Sequence, residues 1–268
     1  MSLRSIRCLL TALLLLAAVP PRIAAAETAE AGATPPAAQD QAAQQKKYQA
    51  CMKLAGKTPK AALKQAMEWE KAGGGDAARH CVAASYMGLK QFDDAAMELE
   101  RIAQTLPQDQ APIMAQLFFQ AAQAWNDFGK SELALNDIGQ GLKLNKNSVD
   151  LLLLRATIYG DQEKYFEALD DLNAAYDLTS DRGTILTLRA KAYRKLGQPD
   201  LAKDNVEMAL KADPNDPDAL LERGTQRAEA GDKDGARADW VKLIEIAPDS
   251  YAAEGARTGL AAIDVKTN

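Results

Sequence analysis

The residues best suited to chemistry are the single histidine and the two cysteines near it. His80 lies next to Cys81, and Cys51 precedes both. A metal site would need more ligands than these side chains offer, and a redox-active cysteine pair is usually more closely spaced. The sequence therefore predicts no metal site here and leaves the cysteines as buried small side chains or as a structural disulfide.

Neighbouring acidic residues are the other candidates for catalysis, as a general acid and base. The pairs are Asp93 with Asp94, Asp170 with Asp171, and Glu98 with Glu100. All lie where a solvated helix face is expected, and the chain has no glycine-rich phosphate loop, no helical His-Glu-x-x-His motif and no nucleophile elbow. We therefore expect a protein that is not an enzyme and that uses no cofactor.

The charge balance argues against nucleic acid as a partner. The 268 residues carry 32 Lys plus Arg and 37 Asp plus Glu, a formal net charge of −5, and no block of like charges occurs. Binding to the phosphate backbone relies on clustered Lys and Arg. The composition, rich in alanine and leucine with 6% aromatic residues, is typical of an all-helical protein whose core is spread between thin layers.

The N-terminus has the pattern of a secretory signal peptide over residues 1–26. Arg4 and Arg7 supply the charged start, an apolar run follows, and three alanines precede Glu27. The run is too short to cross a bilayer of about 30 Å hydrocarbon thickness. We expect cleavage near Ala26/Glu27, no stable membrane insertion and a periplasmic location. Secretion is the alternative location, and an uncleaved anchor is the alternative to cleavage.

The segment that follows, residues 27–44, is predicted to be a disordered linker. It contains mostly Ala, Pro, Gln, Glu and Thr and no large apolar side chain. Such a segment cannot offset its ordering entropy by burial. A docking tail is the functional alternative.

Residues 115–250 consist of four consecutive copies of a 34-residue pattern without insertion or deletion. One column contains Ala134, Ala168, Ala202 and Ala236, and the large apolar column four residues later contains Ile138, Leu172, Val206 and Trp240. An earlier aromatic column contains Trp125, Tyr159 and Tyr193, with Arg227 as the exception. The turn column contains Gly129, Gly197 and Gly231, with Glu163 as the exception. A fixed period of this size indicates stacked supersecondary units.

Within one unit, apolar positions recur at spacings of three and four, which predicts two short amphipathic helices joined by a turn. The turn glycine suits the left-handed backbone that ends a helix, and Pro214 and Pro248 oppose continuation of the second helix. The order of aromatic or Leu, small residue, Tyr, turn Gly, Ala, large apolar and Pro resembles the tetratricopeptide repeat. The resemblance implies an all-α fold, a right-handed α-solenoid of stacked antiparallel helix pairs.

The register predicts five full units and two terminal caps. The units are 76–109, 115–148, 149–182, 183–216 and 217–250, with five residues inserted after the first, where Pro112 is expected to open a longer helix. A degenerate capping helix pair is predicted at 45–75. A C-terminal capping helix is predicted at 251–263, because a solenoid needs a terminal element with one polar face.

The resemblance also bears on Cys51 and Cys81. It places them in the first helices of adjacent units, which are neighbours in such a stack. An even number of cysteines in the exported part of the chain favours a disulfide. We therefore predict a Cys51–Cys81 bridge that stabilises the N-terminal cap.

In proteins that this chain resembles, the first helix of each unit lines an inner groove that binds an extended peptide or a partner helix. The corresponding positions here, called the predicted groove below, are His80, Ala84, Phe119, Gln123, Leu153, Thr157, Thr187, Lys191, Leu221 and Thr225. Their mixture of apolar and hydrogen-bonding groups suits a peptide anchored near Phe119 and Leu153. Ordinary solvated helix faces are the alternative.

Charge within the predicted groove varies between units. Lys191, Arg194 and Lys195 lie on one side of a helix and could form a basic end. The next unit is acidic at Asp218, Glu222 and Glu229, so the two patches could instead neutralise each other. Family members that clamp a terminal carboxylate use Lys and Asn at groove positions, and because only Lys191 matches them, no such clamp is expected.

The leading functional hypothesis is a non-enzymatic periplasmic scaffold that binds a peptide or partner protein in its concave groove. A structural subunit of a larger cell-envelope complex is the second hypothesis. The third, a glycan-handling accessory that reads sugars with Trp125 or Trp240, is weaker because both tryptophans occupy core columns.

Overall fold

The computed structural model describes residues 36–265, and within them the backbone forms α-helices and one short 3₁₀ turn, without a strand. The helices are α1 Pro36–Ala55, α2 Pro59–Lys71, α3 Gly75–Gly88, α4 Phe92–Thr105, α5 Ala111–Asp127, α6 Ser131–Leu144, α7 Val149–Asp161, α8 Tyr165–Leu178, α9 Gly183–Lys195, α10 Pro199–Ala212, α11 Pro217–Glu229, α12 Lys233–Ile246 and α13 Tyr251–Val265, with the 3₁₀ turn at Gln108–Gln110. The predicted all-α fold of stacked helix pairs is confirmed. The predicted signal peptide, residues 1–26, lies outside the described residues.

Each predicted 34-residue unit contains one pair of helices, with α3 and α4 in the first unit and α11 and α12 in the last. In every unit the first helix packs against the second, and most second helices also pack against the next first helix. The helices form two compact halves, α1–α6 and α7–α13, and the chain passes from one to the other between Lys146 and Asn147.

The core of the N-terminal half lies in layers between consecutive helices. One cluster joins α1, α2 and α3 through Tyr48, Trp69 and Val82. A second joins α4 to α5 through Leu99 and Phe118. Because each layer uses side chains from neighbouring helices, no helix of this half buries its apolar face alone.

The core of the C-terminal half runs from α9 to α13. Val206, Leu220 and Trp240 belong to one cluster, and Ala253 and Ile263 of α13 complete it. The apolar face of the last pair is therefore covered by α13, as expected of a capping helix.

The turn between the two helices of a unit has a left-handed backbone in all five units. The residues with positive φ at this position are Lys90, Gly129, Glu163, Gly197 and Gly231. The sequence predicts this conformation at the glycines. It also occurs where Lys90 and Glu163 replace glycine, because the packing of both helices determines the path of the turn.

The predicted linker is too long at its C-terminal end. The structure shows α1 from Pro36 onward, so the part of 27–44 that is described is helical. The sequence argument considered only the lack of large apolar side chains. It overlooked that alanine and glutamine are good helix formers and that Pro36 suits the first turn of a helix.

The inserted residues before the second full unit lengthen its first helix. α5 begins at Ala111, with Pro112 in its first turn, and is the longest of the first helices of the five units. No helix among residues 36–265 combines the length and the apolar character needed to cross a membrane.

Candidate peptide-binding groove

Several first helices contact the first helix of the neighbouring pair directly. In the N-terminal half α1 contacts α3, and in the C-terminal half α9 lies between α7 and α11, with α13 against α11. Side chains at the same register of these helices therefore lie beside one another within each half. The groove positions predicted from the sequence belong to this set of helices.

In the N-terminal half, His80 connects three helices and does not face open solvent. Its Nδ1 is 2.6 Å from Tyr48 Oη on α1, and its Nε2 is 2.7 Å from Gln120 Oε1 on α5. Burial lowers the pKa of His80, while the hydrogen bond to Gln120 acts in the opposite direction. With both ring nitrogens occupied, His80 helps to hold α1, α3 and α5 together.

A disulfide joins Cys51 of α1 to Cys81 of α3, with their Cα atoms 6.1 Å apart. The bond lies within the apolar cluster of the predicted N-terminal cap, and Ala84 packs against the same cluster. It closes a loop of some thirty residues, which in the chain-entropy description corresponds to about 3–4 kcal/mol of stability. The cap is thus fastened covalently to the first full unit.

Phe119 and Gln123 lie on α5, one turn apart, and both are half-buried. In the C-terminal half Leu153 is likewise half-buried on α7. A half-buried aromatic or aliphatic side chain has apolar surface left for a partner, and an adjacent amide can hydrogen-bond to a peptide backbone. These three residues are the members of the predicted groove that fit the expected role best.

The threonines of the predicted groove do not fit the role of hydrogen-bonding side chains. The Oγ1 atoms of Thr157, Thr187 and Thr225 donate to backbone carbonyls one turn earlier in their own helices, at 2.8–3.1 Å. Thr157 and Thr187 are also buried. The burial of Thr157 and Thr187 does not fit an open groove, whereas Thr225 is half-buried.

Leu221 is engaged by the C-terminal capping helix. It packs against the core of the C-terminal half, and a Cβ added to Gly255 of α13 would lie 3.1 Å from Leu221 Cδ2. The groove prediction did not consider that α13 would reach this position. The glycine, which weakens α13 in isolation, allows the close approach of the two helices.

The predicted basic end at Lys191 and Arg194 is largely neutralised. Arg194 makes a bidentate ion pair with Glu222 of α11, at 2.7 and 3.0 Å, and its Nη1 lies 2.8 Å from Glu229 Oε1. The alternative that neighbouring patches neutralise each other is therefore correct for Arg194. Lys195 remains exposed.

Lys191 is the remaining cation at this position. Burial lowers its pKa, whereas the negative charges of Glu222, Asp161 and Asp218 on the flanking helices raise it. Burial and the negative charge of Asp216 raise the pKa of Asp218, whereas the positive charge of Lys191 lowers it. Lys191 of α9 thus lies beside acidic groups, an arrangement that suits a partner segment with both charged and polar side chains.

The sequence reading missed a set of buried ion pairs between the two helices of a unit. Asp171 accepts two hydrogen bonds of 2.7 Å from Arg155, and Asp239 accepts bonds of 2.9 and 2.6 Å from Arg223. Asp239 also accepts a bond of 2.8 Å from Arg227, which explains the exception in the aromatic column. Asp171 was assigned to a solvated face, and its burial corrects that assignment.

Glu98 requires the same correction. It is buried and bound by Arg79 of α3 at 2.8 Å and by Arg101 of its own helix. A signal for these pairs existed, because Arg155 and Arg223 share one register position of the repeat while Asp171 and Asp239 share another. Glu98, Asp171 and Asp239 are therefore held by arginines in structural ion pairs.

Within residues 36–265 no group of three or more His, Cys, Asp or Glu side chains could hold a metal ion. Trp125 and Trp240 are buried, with 8% and 3% of their surface exposed. Neither ring has a free face on which a sugar could stack, so the glycan hypothesis loses its support.

Comparison with known proteins agrees with the helix-pair architecture. Residues 183–225 match the family described as the tetratricopeptide repeat. The chain is 26% identical over 113 residues to RNA polymerase II-associated protein 3 of Rattus norvegicus, a match that covers 42% of this chain and 17% of the length of that protein.

Solved structures with the same fold cover most of the chain. A tetratricopeptide repeat protein from Parabacteroides merdae has a TM-score of 0.61 at 16% identity, covering 84% of this chain and 87% of its own. A thermophilic repeat protein from Thermus thermophilus has a TM-score of 0.57 at 18% identity, with 69% and 99% coverage. At these identities the likeness establishes the fold.

Proposed function

We propose that this chain, which has the helix-pair fold of tetratricopeptide-repeat proteins and matches that family over residues 183–225, is a non-enzymatic scaffold that binds a peptide or partner protein through the first helices of its units. The observation that carries the proposal is the direct contact of α1 with α3 in the N-terminal half, and of α9 with α7 and α11 in the C-terminal half. This contact places side chains of equal register side by side, so that an extended segment lying across them would meet several units at once.

We propose a binding surface in each half, formed by Phe119 and Gln123 in the N-terminal half and by Leu153 and Lys191 in the C-terminal half. Two of these side chains are apolar and half-buried, one is an amide and one is a cation. Apolar anchors flanked by a few polar groups are typical of peptide recognition. The buried positions of the predicted groove are left out of this surface.

We propose a periplasmic location for the mature protein, with secretion as the alternative. The N-terminal sequence pattern described above supports export. The Cys51–Cys81 disulfide supports an oxidising compartment, since such bonds are rare where thiols are kept reduced.

A structural subunit of a larger envelope complex is the second candidate function. It is favoured by exposed apolar side chains on the second helices, among them Phe166 of α8, which is 70% exposed, and Leu201 of α10. Apolar surface of this kind is characteristic of permanent interfaces. In that case the second helices, and not the first, would carry the main contact.

The test is capture of partners from a periplasmic extract with the full exported chain and its variants. A variant carrying Phe119→Ala and Leu153→Asp is expected to retain less than about a tenth of the captured partner, because loss of two anchors typically costs more than 1.4 kcal/mol. The matched control is Phe166→Ala, which removes an aromatic ring from a second helix.

Thermal melting of each variant establishes that the fold is intact. Capture that is unchanged by the double substitution but lost with Phe166→Ala would refute the groove proposal and support the structural subunit. A transient partner displaced by excess peptide is expected for a scaffold, and a fixed-ratio complex for a subunit.

A further inference from the structure

The one histidine of the chain joins three helices through both of its ring nitrogens. His80 lies on α3, with Tyr48 Oη of α1 at 2.6 Å from its Nδ1 and Gln120 Oε1 of α5 at 2.7 Å from its Nε2. The rings of Tyr48 and His80 are also stacked, with their centroids 5.8 Å apart. His80 retains some exposed surface, but each of its nitrogens has a protein partner.

The chemistry of the two partners determines the direction of both hydrogen bonds. The Gln120 oxygen can only accept, so Nε2 carries the proton of the neutral ring and donates it. Nδ1 is then an acceptor, and the Tyr48 hydroxyl donates to it. Burial raises the pKa of Tyr48 to about 12, so the hydroxyl keeps its proton at neutral pH. Neutral His80 with its proton on Nε2 therefore satisfies both neighbours.

A second proton on the ring would affect the two hydrogen bonds differently. Nε2 would still donate to Gln120, so the bond to α5 would persist. Nδ1 would become a donor, so the Tyr48 hydroxyl would have to turn round and accept. Tyr48 is buried and has no second hydrogen-bond partner among residues 36–265, so its own proton would then be unpaired.

No ion pair within residues 36–265 stabilises a charged His80. On α3, Arg79 binds Asp76, and it also binds Glu98 of α4. Asp127, at the C-terminal end of α5, is the only charged residue of that helix. The other charged or titratable side chains described on α1 to α4 are exposed or half-buried and form no ion pair with His80; they are Lys46, Lys47, Lys53, Lys60, Lys64, Glu68, Glu70, Lys71, Tyr86, Asp93, Asp94, Glu100 and Arg101.

We propose that His80 is an acid-sensitive tie that holds α1 of the N-terminal cap to α3, and that its protonation releases Tyr48 and loosens α1. The bond to Gln120 and the Cys51–Cys81 disulfide persist in the charged form, so the change is confined to the part of α1 that precedes Cys51. Acidification thus frees one edge of the cap while α3 and α5 stay joined.

The sign of the pH dependence follows from linkage. Burial lowers the pKa of His80 in the folded chain from its ordinary value of 6.5, and the hydrogen bond to Gln120 offsets this only in part. Below about pH 6.5 the unfolded chain therefore binds more protons than the folded chain, so the free energy of unfolding falls as pH falls. The loss ends below the folded pKa, where both states are protonated.

The titration of His80 can be followed directly, because the full chain purified without a histidine tag contains no other imidazole. With ¹⁵N-labelled histidine, the two ring nitrogens give separate NMR signals. We expect the neutral ring to carry its proton on Nε2 and to titrate with a midpoint below pH 6.5. A neutral ring with its proton on Nδ1, or a midpoint at or above pH 6.5, would overturn the proposal.

Hydrogen exchange of the same protein tests where the structure opens. We expect the amides of residues 44–50 in α1 to exchange roughly three- to tenfold faster at pH 5.5 than at pH 7.5, after correction for the intrinsic exchange rates. The amides of α6 should show no such change.

His80→Gln is the matched control, since its amide offers Tyr48 an acceptor and Gln120 a donor but does not titrate. In this variant the corrected exchange of α1 should be equal at the two pH values. Acid-accelerated exchange in both proteins, or in neither, would contradict the tie. The NMR titration uses the unaltered protein, so it decides the question even if His80→Gln does not fold.

Discussion

Glu163 adopts the left-handed backbone, with φ of 60°, at a turn position where three other units have glycine. The left-handed conformation is less favourable by roughly 1 kcal/mol for a residue with a Cβ, but not for glycine. Because the Glu163 side chain is exposed, Glu163→Gly removes strain and no buried contact. We expect it to raise the free energy of unfolding by about 0.5–1 kcal/mol, measured by urea denaturation.

The reciprocal substitution is the control for this prediction. Gly197 has the same turn position in the next unit, with φ of 69° and nothing near the place of an added Cβ. Gly197→Glu should therefore destabilise by a similar amount through backbone conformation alone. If both substitutions destabilise, backbone strain at this turn is not the dominant effect.

The sequence predicts buried apolar residues more reliably than buried polar ones. The columns of Ile138, Leu172 and Trp240 are buried as expected. Asp171 and Thr157 are buried as well, although their residue types indicate a surface. Such residues become buried only when a specific partner, Arg155 or a backbone carbonyl, satisfies them, and these partners depend on packing that a single unit does not specify.

At the scale of the helices, a change of size at one repeat position is compensated at another. Gly224 of α11 occupies the small column where alanine stands in other units, and Trp240 of α12 occupies the large column. A Cβ on Gly224 would lie 2.7 Å from Trp240 Cδ1, and one on Gly259 of α13 would lie 2.6 Å from Trp240 Cη2. The two glycines make room for the indole between three helices.

We therefore expect Gly224→Ala to destabilise the protein by about 1–3 kcal/mol, because an extra methyl group in a filled core forces its neighbours apart. In the background of Trp240→Leu the same substitution should cost far less, and the difference is obtained from a double-mutant cycle followed by denaturant unfolding. Gly139→Ala on α6 is the control, since nothing lies within 4 Å of the added Cβ.

That control should be neutral or stabilising by about 0.5–1 kcal/mol, as alanine favours a helix over glycine. A cost of Gly224→Ala that is the same with tryptophan or leucine at position 240 would exclude the compensation.

Helix boundaries within the units were predictable because each repeat position occurs in several units, so that several residues indicate the structure at that position. The start of α1 was not predictable in this way, because that segment lies outside the repeat.

At the scale of the whole molecule, the periodic positions determine the stack and leave its binding surface free to vary. Many side chains that suit a half-buried helix face are compatible with the fold, so the fold alone does not determine the residue types at Phe119, Gln123 and Lys191. The fold could therefore be predicted from the sequence, whereas only part of the candidate groove could, because α13 and the close contact of the first helices cover several of its positions.

The most direct test of the binding proposal is site-specific photo-crosslinking of the full chain in cells. A photoreactive phenylalanine analogue is placed in turn at Gln123 and Lys191 on first helices, and at Phe166 and Leu201 on second helices. We predict covalent partner adducts, resolved by mass spectrometry, from the first two positions and none from the others. Adducts formed only from Phe166 and Leu201 would contradict the account, since they would place the partner on the second helices.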